Sequence, residues 1–196
     1  MEAQNSIYGN RYPEMESVMH SLADCIRDAA GKVKAKTGMN PVEHLKNRIK
    51  AEDSMREKCR RQGLPETTES ALQHIRDAIG LRVVCTFLDD VYAIRDYLAR
   101  CEDVEIVNEK DYIQNVKPNG YRSLHLIVRR NGYYAEIQIR TISMDTWAAL
   151  EHQIRYKKNV SNTALIFEEL KRCADELAST DVSMQILRAA INEKNG

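Results

Sequence analysis

The sequence predicts an α+β fold: a mixed sheet flanked by helices, with helical extensions at both ends. Three observations carry that expectation. Asn131-Gly132, a strong two-residue turn signal, separates two alternating segments, Ser123 to Arg130 and Tyr133 to Arg140. Leu81-Arg-Val-Val-Cys-Thr-Phe87 is apolar and β-branched, as a buried strand requires. Apolar residues at helical spacing mark both ends of the chain.

In chain order, Pro13 to Lys36 places Met15, Val18, Met19, Leu22, Ile26 and Ala29 on one helical face, with proline near the start. Gly38 to Pro41 breaks that helix. Val42 to Arg61 reads as a second helix, and Gly63-Leu-Pro65 and the polar run to Ser70 read as loop. Ala71 to Ala78 predicts a short helix that ends near Gly80, and the strand Leu81 to Phe87 follows. Asp89-Asp90 opens a helix to about Arg100. Val104 to Val107 is a short strand, Asn108 to Asn119 a polar loop, and the hairpin comes next. Thr141 or Ser143 caps a helix through Met144, Trp147, Leu150 and Ile154. From Ser161 onward two amphipathic helices are expected, one on Ile166, Leu170, Cys173 and Leu177, the other on Val182, Ile186, Leu187 and Ile191. The chain thus divides into an N-terminal helical segment (1–40), a central domain (41–160) and C-terminal helices (161–196).

A turn at Asn131-Gly132 fixes the hairpin register. Arg130 then faces Tyr133, Ile127 faces Glu136, His125 faces Gln138 and Ser123 faces Arg140. Leu124, Leu126, Val128, Ala135, Ile137 and Ile139 fall on one side. Ser123, His125, Arg129, Tyr134, Glu136, Gln138 and Arg140 fall on the other. An ordinary half-solvated sheet would satisfy the alternation equally well. The concentration of imidazole, carboxylate, carboxamide and guanidinium is what suggests chemistry.

Lys plus Arg and Asp plus Glu both number 29, so the net charge is zero and anion binding must come from local clustering. Met1 to Asn10 is polar and lacks the apolar run of a signal peptide. No stretch approaches the roughly 18 apolar residues of a membrane span. The five cysteines, at 25, 59, 85, 101 and 173, form no Cys-x-x-Cys pair, so reduced thiols and a cytoplasmic setting are expected.

Seven cations lie between Lys46 and Arg61. On a helix Lys50, Ser54, Lys58 and Arg61 would share a face suited to polyphosphate, although a solvated helix surface explains a charge run as well. No Walker-type glycine-rich loop is present, so side chains would have to replace a backbone cradle. Asp77 just before a strand and Glu136 within one could jointly hold Mg²⁺, and Glu136 could take a proton from a hydroxyl. The plainer alternatives are a turn cap for Asp77 and an ion pair with Arg140 or Arg129 for Glu136. Tyr121, after Gly120, could stack on a nucleobase or simply anchor its loop.

Five segments in order, Ile75-Arg-Asp-Ala-Ile-Gly-Leu-Arg-Val-Val84, Lys110-Asp-Tyr-Ile113, Lys117-Pro-Asn-Gly-Tyr-Arg-Ser-Leu-His125, Glu136-Ile-Gln-Ile-Arg-Thr141 and Met144-Asp-Thr-Trp-Ala-Ala-Leu-Glu-His152, closely resemble the RelA/SpoT-type synthetase domain, over about residues 40 to 160. The resemblance implies a nucleotidyltransferase-like sheet and a single-domain small alarmone synthetase. Such an enzyme moves the β,γ-pyrophosphate of ATP to the 3′-hydroxyl of GDP or GTP, releasing AMP, in stringent-response signalling. By resemblance Asp77 and Glu136 are the Mg²⁺ ligands, and Glu136 also activates the hydroxyl. Arg48 and Arg82 sandwich adenine; Lys50, Ser54, Lys58 and Arg61 hold the ATP phosphates. Tyr121 stacks on guanine, with Lys110, Lys117, Arg122, His125, Gln138 and Asp145 completing the acceptor site. His152 is assigned a structural role. The loop Asn108-Glu-Lys-Asp111 is close to the family's basic Arg-x-Lys-Asp variant without its leading Arg. Small relatives assemble as homotetramers through their flanking helices, which implies oligomerisation here. The acceptor preference and regulation by RNA or alarmones stay open. So do a nucleotide or RNA sensor without chemistry and a relative that modifies adenine nucleotides or tRNA ends.

Overall fold

The computed structural model describes residues 6–156 and 163–193. Helix α1 (Tyr12–Thr37) leads into strand β1 (Val42–Ile49), helix α2 (Glu52–Arg61), strand β2 (Ile79–Cys85), helix α3 (Leu88–Leu98) and strands β3 (Glu105–Asp111), β4 (Leu124–Arg130) and β5 (Tyr133–Thr141). Helices α4 (Ile142–Tyr156) and α5 (Thr163–Glu193) follow. The sheet order is β1-β2-β5-β4-β3, with β2 and β5 parallel and the other neighbours antiparallel. This is the mixed, helix-flanked sheet that the sequence predicts.

The hairpin has the expected register, with Ile127 opposite Glu136, His125 opposite Gln138 and Arg130 opposite Tyr133. Asn131 (φ 48°) and Gly132 (φ 83°) both adopt positive φ, the requirement of a type I′ turn. Leu124, Leu126, Val128, Ala135, Ile137 and Ile139 are fully buried. A one-residue slip would turn all six outward, at a cost on the order of 10 kcal/mol, so burial locks the register that the turn sets.

Four expectations need correction. Val42 to Arg61 is not one helix. Its first half is edge strand β1, paired to β2, and only Glu52–Arg61 is helical. The spacing of Val42, Leu45 and Ile49 mimics a helix, but the open edge of β2 offers those backbone groups a ladder. Ala71 to Ala78 forms no helix beyond a single wide turn at Ser70–His74. Asn108 to Asp111 belongs to β3 and is not loop, which puts Lys110 opposite His125. The two expected C-terminal helices are one helix, α5; Ser161, where they were to begin, lies outside the described residues. Ser179-Thr180-Asp181 does not break α5, because the Thr180 and Ser183 hydroxyls donate back to the carbonyls of Glu176 and Ser179, and Asp181 accepts from Thr141.

Helices α1 and α3 cover the apolar side of the sheet. Helix α5 is tied to the rest by the buried Arg188–Asp90 pair at 2.8 Å and by the Thr141 hydroxyl, which donates to Asp181 at 2.6 Å. The same Thr141 oxygen accepts from the Met144 N–H and caps α4. All five cysteines are free. No helix among the described residues is long and apolar enough to cross a membrane.

Candidate active site

The uncovered side of the sheet carries two transverse rows of side chains. Register aligns Arg48, Gly80, Glu136, Ile127 and Asn108 across the five strands, and next to them Lys46, Arg82, Gln138, His125 and Lys110. Charged and polar groups from segments up to about 90 positions apart in sequence thus share one surface. Gly80 places no side chain between Arg48 and Glu136, and a cleft of about 160 Å³ opens there, lined by Lys46, Arg48, Arg82, Glu136 and Gln138. A larger cavity of about 410 Å³ lies between α1, α3 and α5, and its cations Lys36, Arg100 and Arg188 are matched in number by Asp89, Asp90 and Asp96.

Asp77 ends the segment that feeds β2. Its Oδ2 accepts from Lys58 Nζ at 2.6 Å and lies 3.1 Å from Lys50 Nζ, while its buried Oδ1 has no hydrogen-bond partner among the described residues. Lys50 sits beyond the end of β1 rather than on a helix. Both its backbone groups are pinned, the N–H donating to the Ala78 carbonyl at 2.8 Å and the carbonyl accepting from the Tyr8 hydroxyl at 2.6 Å. Tyr8 is fully buried, a positioning role that the polar reading of Met1 to Asn10 missed. Burial alone would raise the Asp77 carboxyl, but the two ammonium groups hold it below the usual carboxylate range.

Glu136 pairs with neither Arg140 nor Arg129. Its Oε2 accepts from Gln138 Nε2 at 2.9 Å, and its Oε1 lies 3.4 Å from His125 Nδ1. Burial pushes this carboxyl up; His125 and Gln138 outweigh it and leave the group below its ordinary value, with the Asp77 charge opposing them. Asp77 lies three residues before Gly80, and the parallel pairing of Gly80 with Glu136 puts the two carboxylates toward the same end of adjacent strands.

A relay of contacts continues outward. Gln138 Oε1 accepts from Arg140 at 2.7 Å, Arg140 lies 3.5 Å from Asp145, and Arg82 lies 3.6 Å from Asp145. His44 stands 3.8 Å from the same carboxylate. Tyr121 joins this network through its hydroxyl, 2.8 Å from His125 Nε2, and its ring packs against Tyr112, His125 and Trp147. Lys117 lies over the rings of Tyr112 and Tyr121 at 4.3 and 5.1 Å. The loop that carries Tyr121 is seated on α5 at Gly120, which has φ 90° and where a Cβ would meet the Ala174 Cβ at 2.7 Å.

The fold therefore gathers Arg48, Arg82, Glu136 and Gln138 in the cleft, Lys50 and Lys58 on Asp77, and Lys117, Tyr121, His125 and Asp145 beyond. Ser54 and Arg61 are exposed, on the α2 face that also carries Lys58. Lys110 is exposed on edge strand β3, in line with His125. Arg122 is turned away, donating to the Gly120 and Ala174 carbonyls and pairing with Asp175 at 2.8 Å. His152 lies about two turns along α4 from Asp145 and is exposed. Sequence reasoning placed Arg140 on the polar surface but missed Lys46 and His44 there; alternation along β1 was the available signal.

Residues 47–161 match the family model described as a region found in RelA / SpoT proteins. The chain is 47% identical over 146 residues to the GTP pyrophosphokinase YwaC of Bacillus subtilis (strain 168), covering 70% of each chain. It superposes on the crystal structure of small alarmone synthetase 2 from Bacillus subtilis with a TM-score of 0.80 at 37% identity, covering 92% of this chain and 98% of that one. On small alarmone synthetase 1 from Bacillus subtilis bound to its product pppGpp, the TM-score is 0.77 at 28% identity, covering 90% and 94%.

Proposed function

Because the chain belongs to the RelA/SpoT family and is a GTP pyrophosphokinase that makes (p)ppGpp, we propose that the polar sheet face binds ATP and a guanine nucleotide together, with Asp77 and Glu136 between them. The transferred group is the β,γ-pyrophosphate of ATP, and the acceptor is the 3′-hydroxyl of GDP or GTP. The observation that carries the arrangement is that Lys50 and Lys58 close on Asp77, three residues before the Gly80 that pairs with Glu136 on the neighbouring strand.

Arg48 and Arg82, on neighbouring strands beside the Gly80 gap, suit the two faces of an adenine ring. From there the donor phosphates run toward Lys50, Lys58 and the exposed Arg61 and Ser54. Guanine stacks on Tyr121 once the exposed Lys117 side chain moves aside, at a cost of about 1 kcal/mol. The acceptor 3′-oxygen attacks the β-phosphorus, the bond from that phosphorus to the α–β bridging oxygen breaks, and AMP leaves. Glu136 receives the hydroxyl proton. A carboxylate is a far weaker base than an alkoxide, so it takes the proton as the new O–P bond forms and not before.

The residues fit a Mg²⁺ ion. Among the described residues Asp77 Oδ1 is a buried carboxylate oxygen without a hydrogen-bond partner, Glu136 stands on the neighbouring strand, and an ion that keeps several of its waters needs few protein ligands. Asp77 and Glu136 would hold it. When bound, Mg²⁺ neutralises pyrophosphate charge and makes the phosphorus more electrophilic. The test of the whole reading is incubation with ATP, Mg²⁺ and, separately, GMP, GDP, GTP, ADP and tRNA. A 3′-pyrophosphorylated guanine nucleotide with equimolar AMP is expected. Transfer to ADP or tRNA alone would refute the guanine assignment.

Helix α5 supports self-association. Val182 and Ile186 lie on one face of α5 and Met184, Leu187 and Ile191 on another, each about half exposed or more, apolar surface that a homo-oligomer, a tetramer by family resemblance, would cover. Ile186→Asp with Leu187→Asp is expected to lower the mass in light scattering to that of the single chain. An unchanged mass would place the interface elsewhere.

A further inference from the structure

One charged group on the polar face takes no part in the chemistry above. Tyr134 follows the hairpin turn, one step along β5 from Glu136 on the same side of the sheet. Arg76 lies over its ring with the guanidinium carbon 5.0 Å from the centroid, and Arg129, paired with Tyr134 across the β4–β5 ladder, lies at 5.8 Å. Both arginines are exposed. Among the described residues neither is ion-paired, although Glu105 stands opposite Arg129 in the β3–β4 register. Four other cations of the site lean on acids, Lys50 and Lys58 on Asp77 and Arg82 and Arg140 on Asp145. Two unpaired guanidiniums held by one aromatic ring repel each other, and an exposed cation–π contact offsets only about 0.5–1 kcal/mol for each. A dianion between them would remove the repulsion and accept from both forks.

Position names the anion. Arg76 precedes Asp77 directly, so the stack stands beside the Lys50–Asp77–Lys58 group, on its β4–β5 flank. The donor phosphates approach from β1 and α2, and the acceptor hydroxyl is at Glu136. A pyrophosphate that moves from donor to acceptor shifts its bonded end toward Glu136 and leaves its free phosphate at the hairpin end of the face. Resting on the pyrophosphokinase reading, we propose that Arg76 and Arg129, steadied by Tyr134, form the subsite for the distal phosphate of the transferred pyrophosphate, gripping it as it leaves ATP and in the 3′-pyrophosphorylated product.

The two ends of the acceptor make the test specific. GDP and ppGpp share base, ribose and 5′-phosphates and differ only in the 3′-pyrophosphate. Calorimetric titration of the full chain with each, with Mg²⁺ present, gives the contribution of that group as the ratio of the two affinities. The wild-type chain is expected to prefer ppGpp. Arg76→Gln with Arg129→Gln is expected to lower that preference about tenfold or more while GDP binding stays the same. Arg27→Gln, an exposed change on α1, is expected to leave both affinities as they were. Should the double variant not fold, Arg129→Gln alone, at an exposed strand position, carries the same comparison. A preference retained within twofold, an equal loss of GDP and ppGpp binding, or a wild-type chain with no preference would each overturn the subsite. If the wild-type chain still converts ATP and GDP into ppGpp, the active-site reading survives that failure; if it does not, both fall.

Discussion

Glu136→Gln is expected to lower turnover by about 10²- to 10⁴-fold while the protein stays folded. Gln has nearly the same shape, and its carbonyl can still accept from Gln138 Nε2, now at 2.9 Å from Glu136 Oε2. What disappears is the charge that faces His125 and the ability to take a proton. Burial opposes that charge, but His125 and Gln138 more than offset it, so its removal costs some stability above the carboxylate range while the core that holds the strand is untouched. The measurement is AMP release at saturating ATP and acceptor, beside thermal melts and nucleotide affinities. Normal turnover would remove Glu136 from the chemistry. A large rise in acceptor KM with unchanged kcat would make it a binding group instead.

Asp77→Asn is expected to cost turnover at least about 10²-fold, because a group that holds the neutralising cation contributes several kcal/mol to the barrier. The substitution also leaves Lys50 and Lys58 facing a neutral amide. Excess Mg²⁺ should recover the part of the loss that comes from weaker cation binding. The same variant has a signature without substrate. The folded Asp77 carboxyl is held below its ordinary value, so the stability it lends is full above the unfolded carboxylate value near pH 4 and is lost as pH falls through the folded one. The melting temperature of the wild-type chain should therefore fall more steeply than that of Asp77→Asn below about pH 4. Parallel curves would mean that the lysine contacts contribute nothing to the folded state.

The parts of this site that could be read from the sequence are those where a local rule carries the answer. Asn131-Gly132 demands positive φ at two successive positions, and the period of two around it assigns every hairpin side chain to a face. Those two rules bring His125, Glu136 and Gln138 together from the sequence alone. Lys50 is not brought in, because Val42, Leu45 and Ile49 satisfy helical spacing and only the unpaired edge of β2 makes that stretch a strand. Arg122 shows the opposite error. Its motif suggests an acceptor contact, while the Asp175 carboxylate and two carbonyls near α5 draw it away from the cleft.

The sequence by itself determined the fold class, the hairpin register, the residue types of the site and the family, since each rests on short-range periodicity, turn stereochemistry or motifs written in consecutive residues. Tertiary structure alone decided that β1 is a strand, that Lys50 and Lys58 close on one oxygen of Asp77 and leave the other without a partner, and that Arg76 and Arg129 meet on Tyr134. The physical reason is range. Those contacts join segments far apart in the chain, and they form only where the hydrophobic burial of α1, α3 and the sheet has already brought their backbones together.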